Sequence, residues 1–369
     1  MLLRLSTFLA ACAFAATAAA DEPPAKLAPH FKPPEALAKD FGAYRSPLKF
    51  DDGTDVKNAK DWDKRRAELL KYWHGQMGEW PALIEKPKVE LGPKEDRDGI
   101  AQHKLKIETA PGRVVEDAYL LVPPGKGPFP AVVVVFYEAN TGIGKGKAEF
   151  RDFALQLAKR GFVALSLGGD PNTYYPTKEK CRIQPLSFHA YEAANCHTAL
   201  AQMPNVDPKR IGVVGHSYGG KWAMFAGALH DKFACCATSD PGIVFDENRS
   251  NVNYWEPWYL GFDPALPAQR KSGIPNEKNP RTGPYKQMMD DKRDLHELHA
   301  LVAPRPFLVS GGAEDQPERW KALNHSIAVN KLLGFENRVA MTNRKDHSPN
   351  AESNELLYLF FESALKPVK

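Results

Sequence analysis

The chain of 369 residues is 43% hydrophobic and 25% charged, an ordinary globular composition that suits one large α/β domain or two small ones. Its 49 Lys and Arg against 45 Asp and Glu leave a formal net charge of +4, and no basic block is interleaved with aromatics. That balance excludes a nucleic-acid-binding face and predicts no acidic-surface partner.

The first twenty residues, MLLRLSTFLAACAFAATAAA, combine a basic start at Arg4, an apolar run, and small residues at Ala18 and Ala20 before DEPP. This is the layout of a cleaved secretory signal over residues 1–20, so the mature protein is expected to be secreted or periplasmic. The run is short, alanine-rich and followed by acid and proline, which argues against a membrane span. LAAC, ending at Cys12, also resembles a lipobox, and a lipoprotein held through Cys12 is the alternative. Cys235 and Cys236 are neighbours on a predicted strand and read as small core residues. Pairing of Cys181 with Cys196 suits an oxidising compartment but depends on a Cα separation that sequence leaves open.

Residues 21–60 are rich in proline and charge and read as an extended segment ahead of a domain over 61–369. WDKRRAELLKYWHGQM places Trp62, Leu69, Leu70, Trp73 and Met77 on one helical face. Three strand-like runs follow, PKVEL, GIAQHKLKIET and RVVEDAYLLVP, and predict an antiparallel edge. From Phe129 onward short apolar strands alternate with helical periods: PAVVVVF, EFRDFALQLAKRG, FVALSL, SFHAYEAANCHTALAQM, RIGVVG. A continuous valine run is what a strand buried on both faces requires. After FACCATS, residues from about 240 to 300 hold many Pro, Asn, Trp and Tyr and read as an insertion or cap; RPFLVSG, RWKALNHSIAVNKLLG, NRVAMT and AESNELLYLFFESAL then complete the alternation. The predicted fold is α/β: a mostly parallel sheet flanked by helices, antiparallel strands at its N-terminal edge, and an insertion after the sixth core strand.

GHSYG, residues 215–219, satisfies G-x-S-x-G between a strand and a helix. In that setting Ser217 is a candidate nucleophile, because the glycines free the strained turn that presents its hydroxyl. A serine needs a base and an acid behind it, in the chain order Ser, acid, His for this arrangement. His347, between the last strand and the last helix, is the candidate base. Asp315, after the penultimate strand, and Asp240, after the strand before it, compete for the acid. Backbone N–H groups of Tyr218 and Tyr137 are the candidate oxyanion donors. DLHELH lacks the H-E-x-x-H spacing and a third ligand, so no metal is expected, and no cofactor either. TGIGKGK fails the phosphate-loop pattern and reads as a rim.

From Val206 onward these residues resemble an α/β-hydrolase. NVDPKRIGVVGHSYGGKWAMFAGALHDKFA, NYWEPWYLG and DLHELHALVAPRPFLVSGGAED are similar to bacterial carbohydrate esterases of the glucuronoyl esterase group. The resemblance implies an ester on polysaccharide or a small ester as substrate. It carries Ser217 to the nucleophile, His347 to the base, Lys221 to a lysine that contacts sugar hydroxyls, and either Asp240 or Asp315 to the acid. Trp255, Trp258 and Tyr259 are candidates for stacking on a sugar or for packing inside the insertion. Where that group has arginine directly after the serine, this chain has Tyr218. An acetyl xylan esterase, a prolyl-oligopeptidase-like peptidase and a catalytically silent glycan-binding homologue are the alternatives; oligomeric state has no sequence signal.

Overall fold

The valine run anticipated as a buried strand lies near the middle of a nine-stranded sheet. A computed structural model describes residues 22–146, 149–169 and 182–366; the proposed signal segment, Cys12 and Cys181 lie outside them. Cys196, Cys235 and Cys236 are buried thiols.

In chain order the strands are β1 (Val89–Arg97), β2 (Ile100–Ala110), β3 (Arg113–Val122), β4 (Phe129–Phe136), β5 (Val163–Gly168), β6 (Val206–His216), β7 (Cys235–Ser239), β8 (Phe307–Gly311) and β9 (Val339–Asn343). Their order across the sheet is β1-β2-β3-β5-β4-β6-β7-β8-β9. β1, β2, β3 and β5 pair antiparallel in turn, and every pairing from β5 to β9 is parallel. Parallel strands need crossovers, and helices supply them on both faces. The main helices are α1 (Ala59–Met77), α2 (Ala139–Gly142), α3 (Phe153–Lys159), α4 (Pro185–Ala201), α5 (Tyr218–Leu229), α6 (Gly283–Asp290), α7 (His296–Val302), α8 (Trp320–Leu332) and α9 (Ala351–Leu365).

Side chains of β4 alternate between two cores. Val133 and Val135 pack with α1, α4, α5, α7 and α8, while Val132 and Val134 pack with α3 and α9. No helix among the described residues is long and apolar enough to cross a membrane.

The buried face of α1 carries Trp62, Leu69, Trp73 and Met77, with Leu70 only half-buried, and it also carries Arg65, fully buried. Periodicity marks the apolar residues but not the arginine, whose burial depends on carboxylate partners that the apolar pattern does not mark. Arg65 Nη1 donates to Asp51 Oδ1 and Glu68 Oε2, both at 2.8 Å, and Arg293 Nη2 donates to the same Asp51 oxygen at 2.8 Å. Charged groups in such a place persist because each has a partner.

Residues 22–58 run over the domain as turns and short 3₁₀ segments. Side chains of α7 and α8 hold them by their carbonyls: His296 Nε2 donates to Arg45 O at 2.6 Å and His325 Nε2 to Phe41 O at 3.0 Å. Asn324 Nδ2 donates to Leu37 O and Asp40 O at 2.7 and 2.8 Å. Burial pushes His296 and His325 down to about 4 from the usual 6.5. The unfolded chain therefore takes up these protons near 6.5 and the folded chain only near 4, so stability held above 6.5 is lost as pH falls to 4. Asp294, pushed up to about 7 by burial, acts in the opposite sense. Lowering the pH from about 7 to about 4 is expected to lower the amide protection factors, taken relative to the intrinsic exchange rate at each pH, at residues 37–45 more than in the parallel strands. His325→Gln, which keeps a donor but cannot take the proton, should flatten that response. Equal sensitivity in the two proteins would contradict the histidine origin.

Candidate active site

Ser217 stands where β6 turns into α5, with φ 56° and ψ −116°. A non-glycine residue in this region carries strain of about 1–3 kcal/mol, which the surrounding packing must over-determine. The turn is forced by close approach of backbone. A Cβ on Gly219 would lie 2.0 Å from Val135 O, and one on Gly215 would lie 2.2 Å from the Gly219 carbonyl carbon. Ser217 N–H donates to Ser239 O at 2.8 Å, which ties the turn to the end of β7.

His347 lies between β9 and α9. Its Nε2 is 2.9 Å from Ser217 Oγ, and its Nδ1 is 2.7 Å from Asp240 Oδ2. A carboxylate only accepts, so Nδ1 carries the hydrogen and Nε2 is left to accept from the serine hydroxyl. Asp240 is fully buried and sits at φ 50° immediately after β7. Its Oδ1 accepts from Asp315 N–H at 2.9 Å and Glu314 N–H at 3.1 Å, so the carboxylate is aimed by backbone donors after β8.

The two acids that compete in the sequence do different things here. Asp315 is also fully buried, but its oxygens accept from Gly242 N–H at 2.9 Å and Ile243 N–H at 2.6 Å, the first turn of the insertion. Burial and the neighbouring Asp240 charge push its carboxyl up to about 6. Asp240 meets the imidazole, while Asp315 pins the insertion.

Lys221 differs from its expected place. It is 2% exposed, and its Nζ donates to Pro241 O at 2.6 Å and Asn251 O at 3.1 Å beneath the insertion. The ring of Tyr254 lies 5.0 Å from the ammonium, and burial pushes Lys221 down to about 8. A lysine so enclosed spends its donors on the insertion that it braces. Of the two roles that the sequence leaves open for Trp255, stacking on a sugar or packing, the structure gives packing. Trp255 is 1% exposed, with Nε1 donating to Glu256 Oε1 at 3.2 Å, so it packs inside the insertion, as Tyr259 does. Trp258 is half-buried.

Tyr218 opens α5 directly after the serine, and its ring stacks on that of Tyr137 at 4.6 Å and 18°. Tyr137, in the turn after β4, is 55% exposed, and Phe150 on the same connection is 43% exposed. The residue after the serine is thus packed against an exposed aromatic ring of the turn after β4.

Sequence reasoning passes over two further residues. Arg344 anchors the base loop: Nε donates to Ser348 O at 2.8 Å, Nη1 to Ser310 O at 2.9 Å, and Nη2 to His347 O. An arginine three residues before the histidine, in a loop between strand and helix, is the available signal. His216 packs its ring 4.7 Å from that of His347. Its Nδ1 donates to Ser239 O at 3.0 Å, and burial together with the nearby cationic groups holds it well below the usual histidine range. It serves as a neutral wall beside the base. His296 and His299 of DLHELH are buried in α7, and no group of three or more metal-ligating side chains occurs among the described residues.

Comparison with known proteins bears on the fold. The family model for the prolyl oligopeptidase family matches residues 189–316, and that for the dienelactone hydrolase family matches residues 117–239. Acyl-coenzyme A thioesterase 3 of Mus musculus is 34% identical over 244 residues, which are 64% of this chain and 50% of the thioesterase. The chain thus spans half the length of that relative. A carbohydrate esterase from an unknown prokaryotic organism is 23% identical over 358 residues, covering 78% of each chain. Among solved structures, a promiscuous family 15 carbohydrate esterase from a marine bacterial metagenome superposes with TM-score 0.65 at 18% identity, over 89% of this chain and 98% of that one. A family 15 glucuronoyl esterase from Caldicellulosiruptor kristjansonii gives 0.63 at 20% identity, over 89% and 92%. Sheet order, the strained serine turn and these matches together place the chain in the α/β-hydrolase superfamily.

Proposed function

We propose that this protein is a serine esterase that hydrolyses carboxylic esters borne on carbohydrate, through an acyl-enzyme at Ser217. The observation that carries the reading is the unbroken chain from Ser217 Oγ through His347 to the buried Asp240 carboxylate. Ser217 Oγ attacks the ester carbon as its proton passes to His347 Nε2, and Asp240 stabilises the imidazolium that forms. Backbone N–H groups of Tyr218 and Tyr137 are the oxyanion donors in this scheme. The imidazolium then protonates the departing alcohol, and a water activated by His347 releases the acid and restores the serine. No cofactor enters any step.

Carbohydrate as the carrier is supported by the relative named a carbohydrate esterase and by the structural likeness to glucuronoyl esterases. The segment over residues 1–20 motivates export, where a polymeric substrate would be met. Two observations favour acetyl esters over uronate esters: Tyr218 stands at the position of the resembling group's arginine, and Lys221 is enclosed. A panel of methyl glucuronate, acetylated xylan and an aryl acetate, blanked with Ser217→Ala, tests both readings. Turnover of at least one carbohydrate ester above blank is expected. Turnover of acetylated xylan without methyl glucuronate would assign the acetyl reading, and no turnover of any member would defeat the proposal.

A further inference from the structure

A second cationic group stands beside the base loop without a task in the scheme above. Arg151, on the connection from β4 to α3, is half-buried, and its Nη2 donates to Ser348 Oγ at 3.2 Å, one residue beyond His347. Its Nε is shielded from solvent and meets no acceptor among the described residues. No carboxylate among them pairs with it, and burial alone pushes its guanidinium down. The backbone that carries it is fixed, because Asn354 of α9 donates to Phe150 O at 2.7 Å and Phe150 sits at φ 60°.

The neighbours offer Arg151 no compensation. Arg344 directs its own donors to carbonyls and hydroxyls and adds a like charge. His216, pressed against His347, is held neutral partly by these two arginines. A half-buried guanidinium without an anion is costly to maintain, and an arginine fork is well suited to carboxylate or sulfate. Its position also indicates which part of a substrate it meets. In the serine esterase scheme, on which this inference rests, His347 hands its proton to the departing alcohol, so groups around the His347–Ser348 loop lie on the leaving-group side.

We infer that Arg151 is a specificity-determining residue that binds a negative group, carboxylate or sulfate, on the alcohol portion of the ester. The natural substrate is then an acyl ester of an acidic alcohol, such as an acidic sugar, with the free anion separate from the ester being cut. Electrostatic pairing of this kind acts on binding of the ground state and the transition state together, so it is read mainly in KM.

The test compares 4-acetoxybenzoate with neutral 4-acetoxybenzamide for the wild type, Arg151→Gln and Arg151→Lys, with each rate divided by the uncatalysed rate. The wild type is expected to favour the benzoate in kcat/KM. Arg151→Gln should reduce that preference tenfold or more, chiefly by raising KM for the benzoate, and Arg151→Lys should restore part of it. A parallel loss on both substrates would mean a merely structural arginine and would overturn the inference. So would a preference unchanged by Arg151→Gln, or a wild type that favours the amide. Hydrolysis of neither compound, while fluorophosphonate also fails to label Ser217, would instead defeat the esterase reading beneath it. Replacing the carboxylate by 4-sulfonate separates the two anions: retention of the Arg151-dependent preference supports a general anion site, and its disappearance restricts the site to carboxylate.

Discussion

Asp240→Asn is expected to lower kcat on an aryl acetate by about 10⁴-fold while the fold stays intact, as loss of the acid behind a catalytic histidine does elsewhere. The asparagine oxygen can still accept from Glu314 and Asp315 N–H, so the loop after β8 keeps its place. Its NH₂ then faces His347 Nδ1, selects the wrong tautomer and leaves a hydrogen on Nε2. Asp315→Asn should behave differently. That carboxylate spans Gly242 N–H and Ile243 N–H with its two oxygens, so an amide must turn an NH₂ towards one of two donors. The expected cost is about 1–3 kcal/mol of stability, with a much smaller loss of rate. Thermal midpoints and single-turnover rates of the two variants check this contrast. Equal rate losses would contradict the separation of roles drawn from the geometry.

Ser217→Ala should reduce kcat by at least about 10⁴-fold, and His347→Ala by a similar factor. Because the two act as one unit, the double variant should be scarcely slower than either single variant, far from the product of the two losses. An alanine placed there inherits the φ of 56° that Ser217 already holds, without new strain, so the serine variant is expected to retain wild-type stability. Independent, multiplicative losses would show that the 2.9 Å contact between Ser217 Oγ and His347 Nε2 does not operate in turnover.

The parallel sheet is legible because its strands are buried on both faces, which leaves runs such as VVVV with glycine or proline punctuation. Ser217 and His347 are legible as candidates for a local reason, since each lies at a junction of elements that sequence periodicity marks. The choice between Asp240 and Asp315 is not, because both follow strands and the difference lies in which N–H groups or ring each carboxylate meets. Lys221 misleads for a related reason. A lysine in the first turn of a helix looks solvent-facing, yet the insertion folds back over α5 and encloses it, and the same enclosure decides for packing at Trp255, where the sequence leaves stacking and packing open. Arg344 and Arg151 carry no periodic signal, and their importance comes from the neighbours that tertiary structure gives them.

The central claim, that Ser217 is a nucleophile activated by His347 and Asp240, is tested most directly by covalent labelling with a fluorophosphonate followed by peptide mass analysis. The expected result is one adduct per chain on the peptide containing Ser217, absent in Ser217→Ala and strongly slowed in Asp240→Asn. Labelling at another residue, or an Asp240→Asn variant that labels as fast as the wild type, would contradict it.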